Sequence, residues 1–123
     1  MLADVLSKRL QPIVPAGFHV TQEAGMLRFA MDSGMGFYGG RSGSYVEDTF
    51  NLDTDIRSVT ERALRASALA LGQLQDFVAE ETADPWPGAT DMPPARAELR
   101  AGHLLLYFGE PAAPVLQCEP IDI

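Results

Sequence analysis

With 123 residues, 46% of them apolar and 21% charged, the chain has the composition of one globular domain that can bury a core without a metal or disulfide. Its net charge of −8, from 17 acidic against nine basic residues, argues against nucleic acid and anionic membrane as partners and is compatible with a basic protein. Cys118 is the single cysteine, so an internal disulfide is excluded, and with no signal peptide or membrane-length apolar run in view a cytoplasmic location is expected.

Leu2, Val5, Leu6 and Leu10 stand at helical spacing and are followed by Pro12, which predicts a short amphipathic helix over Leu2–Leu10. Residues 18–23 and 26–31 then alternate around Ala24-Gly25, the pattern of a hairpin with Phe18 and Val20 opposite Leu27, Phe29 and Met31. Asp32 to Gly43 holds five glycines and reads as a loop, with a third strand over Ser44–Phe50.

Within that loop Gly34 to Gly39 matches G-x-G-x-x-G. A dinucleotide site needs a helix to begin inside the motif, and none is predicted there, so no cofactor is expected. Phe37 and Tyr38 in the same loop are candidates for closing over a protein partner.

Glu47, Asp48, Asp53 and Asp55 precede the clearest element of the chain and are best explained as helix-capping carboxylates. The long helix that follows runs to Thr82. Its apolar stripe is Ile56, Val59, Ala63, Ala66, Ala70, Leu74 and Phe77, flanked by Leu64, Leu71 and Val78. The small residues at the centre of the stripe allow close packing on a sheet or on another helix. Asp76 and Glu80 share one outer face near the helix C-terminus, where the dipole disfavours anions. A partner's arginines, or Arg96 and Arg100 of this chain, could offset them. Asp84-Pro85 ends the helix.

A proline-rich connection follows. It contains Trp86 between two prolines, expected either to staple the helix end or to serve as a binding anchor. Residues 95–100 and 103–108 form a second hairpin around Ala101-Gly102, and Val115–Cys118 a last strand. In the second hairpin Leu104, Leu106 and Phe108 face one side while His103, Leu105 and Tyr107 face the other. A strand apolar on both faces lies at the centre of a sheet or at an interface, which makes Leu105 and Tyr107 candidate contact residues. The expected fold is a single α+β domain over residues 1–123: a short N-terminal helix, an antiparallel meander, one long central helix, and a second meander packed on it.

No catalytic group stands out. His19 and His103 lack ligand spacing, Gly43-Ser44 lacks a nucleophile elbow, and Cys118 has no cationic neighbour in sequence. Gln73 to Glu81 with Pro85-Trp86-Pro87, then Leu104 to Gly109 and Cys118 to Ile121, resembles small uncharacterised proteins of actinobacteria and their phages, a group that brings no known activity. An arginine-rich, alanine-rich composition with one lysine and one asparagine fits such a high-GC source. The order of elements is similar to that of type III secretion chaperones and related α+β domains, which are dimers that bind extended protein segments. Against that pattern, this chain ends in a strand and Pro120 rather than a third helix.

The function expected is therefore a non-enzymatic acidic protein-binding module, chaperone-like or adaptor-like. A homodimer is expected through the second hairpin's sheet or the alanine-rich helix. The alternative is an immunity or inhibitor protein that neutralises a basic toxin or nuclease.

Overall fold

The computed structural model describes residues 2–32, 38–45, 56–88 and 90–122; for 38–45 and 56–60 the backbone alone is described. Helix α1 (Leu2–Leu10) buries Leu2, Leu6 and Leu10, whose four-residue spacing puts them on one face. It runs into a 3₁₀ turn over Gln11–Ile13. Strands β1 (Phe18–Glu23) and β2 (Met26–Asp32) form the expected hairpin, with Phe18 opposite Met31, Val20 opposite Phe29 and Gln22 opposite Leu27.

The third strand departs from expectation. β3 spans Tyr38–Tyr45 and pairs antiparallel with β2, so much of the glycine-rich stretch read as a loop is ladder. Glycine weakens a strand because it contributes no packing and costs backbone entropy. Here the ladder to β2 supplies the order that local propensity does not, and the register slips by one residue beside Ala30 and Met31. Residues 46–50, the remainder of the expected third strand, lie outside the described residues, as do Phe37 and the Glu47, Asp48, Asp53 and Asp55 group.

Helix α2 spans Ile56–Thr82 and ends where expected. Its buried face carries Ala63, Ala70, Leu71, Leu74, Phe77 and Val78, and it also buries Ser67 at 1% exposure, a polar residue the apolar pattern passed over. Phe77 packs edge-on against Phe18 at 5.9 Å between ring centroids and lies 6.3 Å from Phe29, tying the helix to the first sheet. Five residues earlier, a Cβ on Gly72 would sit 4.0 Å from the Cβ of Ala95, so close approach to the second sheet calls for a small residue there. The helix stops at Thr82, two residues before Asp84, because Ala83 turns left-handed (φ 57°).

The second sheet comprises β4 (Ala95–Arg100), β5 (His103–Glu110), β6 (Ala113–Gln117) and β7 (Ile121–Asp122). β5 is central, with β4 along one edge; β6 and then β7 share the other. β7 is a further correction, a two-residue strand beyond Pro120 that resumes the pairing with His103 and Leu104. The connection from α2 is held by Gln75, whose buried amide donates to the Pro93 carbonyl at 2.6 Å, and by the Gly109 amide donating to the Pro94 carbonyl at 2.9 Å.

The two hairpins repeat one another. Adding 77 to each residue number of the first ladder gives the second: Phe18↔Met31 becomes Ala95↔Phe108, and Val20↔Phe29 becomes Ala97↔Leu106. Both sheets follow a helix and open with a three-strand meander, to which the second adds β7, and buried Leu27 and Leu104 occupy the same place in each. Both also turn through Ala-Gly with two positive φ angles, 52° and 78° at Ala24-Gly25 and 52° and 81° at Ala101-Gly102.

A turn with both central residues left-handed matches strand twist but disfavours alanine, whose Cβ crowds the carbonyl in that region. Replacing Ala24 or Ala101 by Asn, which tolerates the conformation, is expected to stabilise the fold by about 0.5–1 kcal/mol each. The gain should appear as a rise of a few degrees in thermal midpoint, and an unchanged or lower midpoint in both variants would refute it.

Candidate functional site

Side chains alternate along β5, so the residues not facing α2 form a second surface. Cross-strand partners share a face, and the registers define three rows on it. Arg96, Tyr107 and Gln117 form one, Glu98 and Leu105 the next, and Arg100, His103 and Asp122 the third. Tyr107 is 4% exposed yet stands outside the core cluster that holds Leu104, Leu106 and Phe108. Burial first, and then the Glu98 carboxylate, push its phenol above the ordinary value, while Arg96 and Arg100 pull the other way. Leu105 beside it is half-buried, and Val115 on β6 is 55% exposed.

The charged rim is fixed in place. Arg96 Nε donates to the Gly109 carbonyl at 2.9 Å, which lays the guanidinium stem across the sheet. Arg100 donates to Glu98 Oε1 at 2.6 Å, and His103 Nδ1 lies 2.7 Å from Asp122 Oδ1. Gly109 itself is a positional requirement. Its φ is +102°, and a Cβ there would meet Val115 Cγ2 and the Val115 amide nitrogen at 3.3 Å, where β6 slips register by one residue.

The sequence-derived candidates are only partly brought together. Leu105 and Tyr107 sit side by side on this surface, and β5 is the central strand, as its two apolar faces implied. Trp86 is half-buried and packs edge-on against Phe108 at 5.3 Å, on the core side of the same strand. Asp76 and Glu80 are exposed on α2, and neither Arg96 nor Arg100 compensates them, both arginines being engaged on the sheet. Tyr38 begins β3 opposite Asp32. The alanine stripe is largely covered by the chain's own packing, Ala63 and Ala70 being buried and Ala66 half-buried. The rim of Arg96, Glu98, Arg100 and Asp122 was missed. Its members are far apart in sequence, and only the register unites them.

Elsewhere, a cleft of about 320 Å³ lies between the end of α1 and the β6–β7 link, lined by Lys8, Arg9, Pro12, Ile13, Gln117 and Glu119. Lys8 is paired with Asp4 at 3.1 Å, and Glu119 opposes the two cations, so no single ligand charge is selected. His19 lies 2.9 Å from Asp32 at the open end of the first hairpin. Among the described residues no three His, Cys, Asp or Glu side chains gather as a metal site, and no helix is long and apolar enough to cross a membrane. Neither a family model, nor a curated protein, nor a solved structure matches the chain.

Cys118 is 3% exposed between β6 and β7, and burial pushes its thiol up to about 12, with Arg9 pulling weakly the other way. The thiol is therefore protonated at neutral pH and a poor nucleophile. A raised folded-state pKa means its contribution is fully present below the unfolded value near 9 and is lost as pH climbs toward 12. The stability gap between wild type and Cys118→Ala should narrow by on the order of 2 kcal/mol between pH 7.5 and 10.5 in urea unfolding; a constant gap would contradict it. Gly109→Ala is expected to cost about 1–3 kcal/mol in the same assay, because both conformation and space exclude the methyl group. A neutral result would remove the bulge from the account.

Proposed function

We propose that this chain is a non-enzymatic protein-binding module, adaptor-like or chaperone-like, working through the outer face of its second sheet. The observation that carries the reading is the surface around Tyr107. Half-buried Leu105 stands beside buried Tyr107 on the central strand of the second sheet, exposed Val115 lies on the next strand, and two arginines of the same sheet are held by hydrogen bonds. Tyrosine and arginine are the residue types most enriched at the energetic centres of protein interfaces. A pre-ordered rim reduces the entropy lost on binding.

A second reading rests on the charge of −8 and on exposed Asp76 and Glu80: an inhibitor whose acidic helix face blocks a basic toxin. The two readings differ in salt dependence and in the surface used. Pull-down from the native host with wild type and Leu105→Glu, at low and high salt, separates them. Loss of a salt-resistant partner in the variant supports the sheet face. A partner lost in high salt and indifferent to Leu105→Glu supports the inhibitor. Capture unaffected by either change would sink both.

A further inference from the structure

We infer that the occupant of the second sheet's outer face is a second copy of this chain, packed about a twofold axis that runs parallel to β5. The inference rests on the sheet-face reading above and adds the partner's identity and geometry. Its ground is the charge arrangement. The chain as a whole carries −8, which opposes self-association, yet this face sets two arginines, Arg96 and Arg100, against two carboxylates, Glu98 and Asp122. Arg96, Glu98 and Arg100 share β4, and in the row Arg100–His103–Asp122 the charges are sorted by strand, with Arg100 on β4 at one edge, Asp122 on β7 at the other and His103 between.

A twofold axis parallel to β5 superposes β5 on β5 and lays β4 of each copy over β6 and β7 of the other. Rows keep their height along the strand, so Arg100 of one copy faces Asp122 of the other, twice, while Arg96 faces Gln117 and the half-buried Leu105 side chains lie at the centre. The other in-plane twofold, perpendicular to the strands, lays β4 on β4; centred on Leu105, it sets Arg96 against Arg100. Like charges then oppose, which selects the first geometry. Each arginine has donors left beyond the one bond it makes, and Asp122 has a second carboxylate oxygen. Three strand widths by eight residues give a patch of roughly 15 by 25 Å, small for a permanent dimer, so micromolar association is expected.

Mass by light scattering across about 1–200 µM, with the full chain, tests this. Wild type should move toward twice its 13.3 kDa at the upper end. Arg100→Asp and Asp122→Arg should each weaken association at least tenfold, since each sets like charges against one another in both rows. Mixing the two variants should restore a dimer of mixed composition, because both rows then pair opposite charges. A merely structural role for either residue would not produce that rescue. Circular dichroism on each variant confirms folding before mixing. A wild type that stays monomeric at 200 µM overturns the inference, as does a mixture that associates no better than its components. If that failure is accompanied by a foreign partner still lost on Leu105→Glu in pull-down, the sheet-face reading stands without the dimer. If Leu105→Glu changes nothing in either assay, both fall.

Discussion

Everything in this fold depends on one helix being shared by two sheets. Phe77 of α2 reaches the first sheet at Phe18 and Phe29, and Gly72 lets the same helix settle against Ala95 of the second. Neither sheet could bury its apolar face alone. The buried residues accordingly form one continuous cluster running from α1 through both sheets. Small residues are needed where the second sheet comes close, and a large aromatic where the first must be reached. The sequence along α2 changes from alanine-rich to Leu74, Phe77 and Val78 in that order. With the inner faces committed to α2, the outer face of the second sheet is left for other work.

That division explains the contrast between the two sides of β5. Leu104, Leu106 and Phe108 are core and have no freedom to do anything else. Tyr107 and Leu105 stand outside the core cluster, and the charged groups acting on Tyr107 are Glu98, Arg96 and Arg100. Arginine stems can shield apolar surface while their heads stay in water, a cover that another protein can replace.

The alternating hairpins, the short first helix and the long second one were legible in the residues because each carries its own period and its own stop. β3 was not. Three glycines between Tyr38 and Tyr45 spoke locally for a loop, and only the ladder to β2 overrides them. β7 was hidden for a similar reason, since two residues after a proline carry no period at all. Of the candidate site, the apolar centre on β5 could be read from alternation within one strand. The rim could not, because Arg100 and Asp122 become neighbours only through the register of two separate ladders. The 77-residue echo between the hairpins lies between these cases. Its turn is visible as Ala-Gly twice, but the equivalence of the ladders is a fact of pairing rather than of identity.

Gln11 shows how the first sheet handles its open side. Its side-chain oxygen accepts the Val20 amide at 2.7 Å and its side-chain nitrogen donates to the Phe18 carbonyl at 3.0 Å. One amide group thus presents to β1 what a neighbouring strand's backbone would present. An exposed strand edge invites a strand from another molecule, the first step toward fibres and swapped dimers. Here an incoming strand must first dislodge Gln11 from a turn anchored by α1, and past Val20 only Thr21 to Glu23 remain to pair with. A single amide side chain thereby acts as a guard against misassembly at the edge where β1 would otherwise be open.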